Sequence, residues 1–85
     1  MPSSLHSSHY QAFRNLLIEA RERAGLTQVQ VAELLEKPQS FVSKYERGER
    51  RLDFTEFIEI SAHLNIDVQK FIKAYKTKVS VSKNL

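Results

Sequence analysis

The stretch from Thr27 to Gly48, TQVQVAELLEKPQSFVSKYERG, constrains this chain more than any other, because it holds two short helical patterns separated by a tight break. Thr27 followed three residues on by Gln30 is a capping-box start, in which each side chain satisfies the other residue's backbone N–H. Val31, Ala32, Leu34 and Leu35 then supply an apolar stripe at helical spacing. Glu36-Lys37-Pro38 interrupts it, since proline biases Lys37 away from helical angles and suits the opening turn of a new helix. A second helix is expected from about Gln39. Val42 and Tyr45 recur in it at the three-residue spacing of a buried face, leaving Gln39, Ser40, Ser43 and Lys44 outward. Gly48 stops it as the usual residue at a left-handed C-cap. Ala32 counts through its smallness, because a larger side chain would overpack the crossing of the two helices.

The outward set decides the functional reading. Gln, Ser and Lys side chains donate and accept at base edges or phosphates and have little value on a catalytic surface without a partner. The stretch reads as a helix-turn-helix, with residues 39–47 as the helix that enters the major groove of duplex DNA and the preceding helix crossing the backbone.

Here the sequence resembles the Xre/Cro/CI-type helix-turn-helix regulators. Gln28, Val31-Ala32, Ser43-Lys44 and Glu46-Arg47-Gly48 match the pattern of that family without a gap, and the similarity extends from about Phe13 to Phe71. It implies an all-α, five-helix, lambda-repressor-like DNA-binding domain. It also implies an ion pair between Arg21, four residues before Gly25, and Glu46 of the Glu-Arg-Gly triplet, linking the first helix to the third. Such a pair is weak evidence for stability but fixes helix orientation. The sequence departs from the family at two places. Glu36 stands where the turn commonly has Gly, so that either Glu36 adopts positive φ at some cost or the turn differs slightly, and Pro38 stands where a Ser usually caps the second motif helix.

Eighty-five residues make one small domain whose core is modest, so every helix must contribute to it. There is no Cys, which excludes a disulfide framework and a thiolate zinc site. No apolar run reaches membrane-spanning length, and the N-terminal residues lack the charged and apolar regions of a signal peptide, so a cytoplasmic protein is expected. The net charge of +3 is mild, but its distribution is uneven. Residues 37–51 hold Lys37, Lys44, Arg47, Arg50 and Arg51 against only Glu46 and Glu49, whereas the residues before them are slightly acidic. The basic excess thus falls on the second motif helix and the loop after it, where a DNA backbone would lie.

Along the rest of the chain, residues 1–7 read as a flexible polar arm and residues 8–75 as the DNA-binding domain. Ser8 with Gln11 suggests a capped helix with Phe13, Leu16, Leu17, Ala20 and Ala24 on one face up to Gly25, while Arg14, Glu19, Glu22 and Arg23 form a solvated face. Asp53 and Glu56 form a further capping box, opening a helix with Phe54, Phe57, Ile60, Ser61 and Leu64 inward. Asn65 takes its C-cap, as a residue that tolerates left-handed angles. Asp67 caps a fifth helix carrying Phe71, Ile72 and Tyr75. From Lys76 the pattern fades; the final TKVSVSKNL alternates apolar and polar as a short strand would, but no partner strand is evident, and residues 76–85 are expected to be a disordered basic tail.

Nothing points to catalysis. His6, His9 and His63 have no ligand or triad spacing, and two glycines cannot make a phosphate loop. No enzyme activity, metal, cofactor or small-molecule ligand is expected. The expected partner is double-stranded DNA. Gln39, Ser40, Ser43 and Lys44 are assigned to base readout, and Gln28, Lys37, Arg47, Arg50 and Arg51 to phosphates. Phe41 is open between touching a thymine methyl and packing on the preceding helix. The expected role is a small transcriptional regulator, a repressor, acting as a homodimer because one helix reads too few base pairs for regulatory discrimination. Helix five, with Val68, Ile72, Tyr75 and Val79, is its expected contact surface, the alternative being that Ile72 and Tyr75 cover the first helix of the same chain. A protein-interaction module of the same fold, and an antitoxin or restriction-modification controller, are the alternatives.

Overall fold

The computed structural model describes residues 7–83, and the side chains of residues 7–80. Five helices follow one another: α1 (Ser8–Arg23), α2 (Gln28–Leu35), α3 (Gln39–Arg47), α4 (Phe54–Leu64) and α5 (Val68–Lys83). Among the described residues there is no strand.

Local chemistry sets most of the boundaries. At the start of α2, Thr27 N–H donates to Gln30 Oε1 at 2.8 Å and Gln30 N–H to Thr27 Oγ1 at 3.1 Å, the reciprocal pair of a capping box. Asp53 and Glu56 repeat it at α4, and Asp67 Oδ1 accepts from Lys70 N–H at α5. The C-caps of α2 and α4 are the non-glycine residues Glu36 (φ 56°) and Asn65 (φ 58°), and α3 ends at Gly48 (φ 79°). Pro38 precedes α3 with extended backbone and no side-chain cap. The α1 cap is Ser7, whose Oγ accepts from Tyr10 N–H at 3.1 Å, one residue earlier than Ser8.

The core is a single cluster. Leu17, Val31, Val42, Tyr45 and Ile60 are its most deeply buried side chains, and each of the four aliphatic ones stabilises the fold by about 1.5–3 kcal/mol on burial. Phe13, Phe57 and Phe71 close it from α1, α4 and α5, with ring centroids 4.9–5.8 Å apart in tilted and edge-on pairs. α2 packs on α3, and α1 on both α3 and α5, so the motif pair is braced from behind by α1.

Four sequence expectations are corrected. Phe54, expected inward, is 71% exposed, and Leu34 and Ala24 are exposed too. Each sits at the margin of an apolar stripe, where periodicity cannot tell which edge faces the core. The expected tail is helical instead: α5 continues through Lys83 along α1, with Lys78 and Val79 half-buried and Lys78 Nζ 3.8 Å from Glu19 Oε2. Alternation of Val and Ser over four residues is too short to oppose a helix that already has a docking surface. The expected arm, apart from the Ser7 cap, lies outside the described residues.

Candidate nucleic-acid interface

The outward face of α3 is built from Gln39, Ser40 and Lys44, all exposed, and half-exposed Ser43, whose hydroxyl donates to Ser40 O at 3.3 Å. Behind this face lies a buried carboxylate. Glu46 is 5% exposed, and Arg21 from α1 meets it through two nitrogens, Nε to Oε2 at 2.7 Å and Nη2 to Oε1 at 3.2 Å. A bidentate pair of this kind fixes direction as well as charge. The hydrogen bond from Arg21 in turn raises the pKa of that guanidinium. Arg21 Nη1 also donates to Leu26 O at 2.8 Å, tying the α1–α2 connection to the same group.

Gln28 extends the network outward. Its Nε2 donates to Glu46 Oε1 at 2.9 Å, and its Oε1 accepts a long 3.4 Å bond from Gln39 Nε2. An unbroken sequence therefore runs Arg21, Glu46, Gln28, Gln39, from a buried ion pair to an exposed amide. Gln28, assigned to a phosphate on sequence grounds, is half-buried and turned toward α3.

The basic residues are held in three ways. Arg47 makes an exposed fork with Glu49, at 2.9 and 3.0 Å; that bond lowers the pKa of the Glu49 carboxyl. Arg50 forks onto Glu56 at 3.1 and 2.9 Å, donates to Arg51 O, and lies 4.6 Å from the Phe41 ring centroid. Lys37 Nζ approaches the same ring at 5.5 Å. Arg51 lies 5.0 Å over the ring of Tyr10. Lys37 and Arg50 are thus brought together at Phe41, whereas Arg51 is directed to α1.

Two residues that position this surface escaped the sequence reading. Tyr10 is buried, and its hydroxyl donates to Arg50 O at 3.2 Å while accepting from Leu52 N–H at 3.1 Å, which fastens the loop after α3. Its signal was present, since Tyr10, Phe13 and Leu17 share one helical stripe. Arg14, read as solvated, is half-buried and donates from Nη1 to Glu46 O at 2.8 Å. It passes so near Gly48 that a Cβ there would stand 3.0 Å from Arg14 Nε. Arg14 lies seven residues before Arg21, two turns along the same face, and that spacing was the available clue.

A model of the helix-turn-helix family matches residues 17–71. The chain belongs to the XRE-type helix-turn-helix family. A solved structure, an XRE-family like protein from Pseudomonas syringae pv. tomato str. DC3000, is 42% identical, with a TM-score of 0.79 over 87% of this chain and 90% of that one. No curated protein matches. As a member of the XRE-type family the chain is a DNA-binding helix-turn-helix regulator. Its surface just described includes the second helix of the motif. Among the described residues, no helix is long and apolar enough to cross a membrane.

Proposed function

We propose that this XRE-type regulator binds a specific duplex operator as a cytoplasmic repressor, with α3 in the major groove and α2 across the backbone. Base readout falls to Gln39, Ser40, Ser43 and Lys44. Lys37, Arg47, Arg50 and Arg51 take phosphates, and Gln28 takes a phosphate while steering Gln39. The observation that carries the reading is the relay from the buried Arg21–Glu46 pair through Gln28 to Gln39. A surface that only had to be soluble would gain nothing from anchoring an exposed amide to a buried carboxylate, whereas bidentate recognition of adenine needs an amide held in a fixed plane.

The proposed functional unit is a homodimer reading two half-sites about one helical turn apart. Its supporting surface is the face where exposed Phe54 and Ile72 flank an open apolar groove of about 440 Å³ that Tyr75 and Phe57 help to line. The proposed contact thus lies at the junction of α4 and α5 and includes Phe54, beyond the helix-five residues expected from the sequence.

Selection of binding sites from a random duplex library tests both parts. The expected result is an enriched site with dyad symmetry, bound by two copies in sedimentation. Binding that falls with salt but enriches no sequence overturns the specific reading, and one copy on an asymmetric site overturns the dimer.

A further inference from the structure

The edge of α3 opposite Gln28 has a chemistry of its own. At 100° per residue, Gln39 and Ser43 lie toward the Gln28 side of the outward face, and Phe41 flanks the other side next to Ser40 and Lys44. Phe41 is half-exposed. Its ring meets the buried Tyr45 ring edge-on at 5.6 Å, which sets its orientation. Arg50 and Lys37 both sit over it, and Arg50 is itself held by the two oxygens of Glu56. The result is an apolar side chain fixed at the margin of the polar face, with two cations beside it.

Resting on the duplex-DNA reading above, we propose that Phe41 is a specificity-determining residue that contacts the 5-methyl group of a pyrimidine, thymine in the operator. In the major groove only thymine among the four bases presents an apolar group. That methyl projects toward the wall of the groove, near the sugar-phosphate backbone. An apolar side chain at the margin of the reading face, beside cations that approach phosphates, meets that position. A side chain at the centre of the face meets the hydrogen-bonding edges instead. Unmodified cytosine at the same place has no methyl and so offers the ring less apolar surface to cover. The Phe41 edge therefore selects by shape and dryness what the Gln39 edge selects by hydrogen bonds.

The experiment uses the full chain and the operator recovered by selection, with each thymine replaced singly by uracil, which removes the methyl and leaves every hydrogen-bonding group. Wild type is expected to lose about fourfold in affinity at one position per half-site, the value of one methyl-sized group withdrawn from water. Phe41→Ala should bind the thymine and uracil duplexes alike there while keeping its preference at the adenine assigned to Gln39. Phe41→Leu should restore part of the thymine preference. Thermal melting of each variant identifies loss of fold separately. Where selection returns cytosine at that position, a 5-methylcytosine duplex binding about fourfold tighter assigns the methyl to modified cytosine. The proposal is overturned when no single uracil replacement matters, or when Phe41→Ala keeps the thymine preference, since Phe41 then only packs. An absence of any enriched operator would instead overturn the duplex reading on which the proposal rests.

Discussion

The two edges of the α3 outward face are held by opposite means. On the Gln28 side a buried carboxylate orders the surface from within: Glu46 takes donors from Arg21 and Gln28, and Gln39 rides on Gln28. On the Phe41 side no buried charge is involved: a half-exposed ring rests edge-on against Tyr45, and the two cations over it come from the turn before α3 and the loop after it. The first arrangement is costly to break, because an unpartnered charge would remain buried. The second can loosen without disturbing the fold. A reader of base edges needs the first kind of support, and a set of groups that follow a backbone tolerates the second.

The largest expected effect comes from breaking the inner support. Glu46→Ala leaves Arg21 and the Gln28 amide without their acceptor, and should cost about 3 kcal/mol of stability, as removal of one partner from a buried pair does. Denaturant unfolding measures it, and a loss close to that of a surface substitution would refute the contrast between the edges. Gln39→Ala should leave stability nearly unchanged and cost about 1–3 kcal/mol at a single operator position, with little change on random duplex. Equal losses on both would remove Gln39 from base readout. Arg50→Ala acts on the other edge: binding to all sequences weakens and the slope of log affinity against log salt falls by about one. An unchanged slope would exclude Arg50 from phosphate contact, leaving it as a brace for Phe41 and Glu56.

The smallest effect expected is a dependence of the loop on acid. The hydrogen bonds from Arg50 hold the Glu56 carboxyl below its ordinary value of 4.5, and the backbone N–H of Glu56 holds Asp53 below 3.8. Both groups favour the folded state above those ordinary values, and that contribution is lost as pH falls through their lower folded values. Melting temperature should therefore vary little on this account between neutrality and about pH 5 and decline below pH 4.5, with a shallower decline in Glu56→Gln. Melts across that range check it, and an identical acid slope in the variant would remove the Arg50–Glu56 fork as its source.

What the sequence disclosed was whatever is decided within four residues. The capping boxes at Thr27 and Asp53, the left-handed angle at Asn65, and the Val42 and Tyr45 face follow from local rules and stand as read, whereas the left-handed Glu36 answers to the turn position that the family resemblance marked. Arg14 and Tyr10 were missed because their partners lie 32 and 40 residues away, and only docking of α1 against the loop after α3 creates those bonds. Phe54 was misassigned for a related reason: the helical period locates a stripe but not its edge. Residues 76–83 look unstructured in isolation, and it is docking on α1 that favours their helix. The resemblance that implied an Arg21–Glu46 pair also supplied what no local rule could, a contact across 25 residues.

The Arg21–Glu46–Gln28 network has a thermodynamic consequence. Side chains immobilised only at docking each cost about 0.5–1.5 kcal/mol of ordering; Gln28 has already surrendered that freedom when the domain folds. Affinity for DNA and cohesion of the domain are then linked quantities, and warming that loosens the hold of α1 on α3 should erode discrimination between operators before any helix is lost.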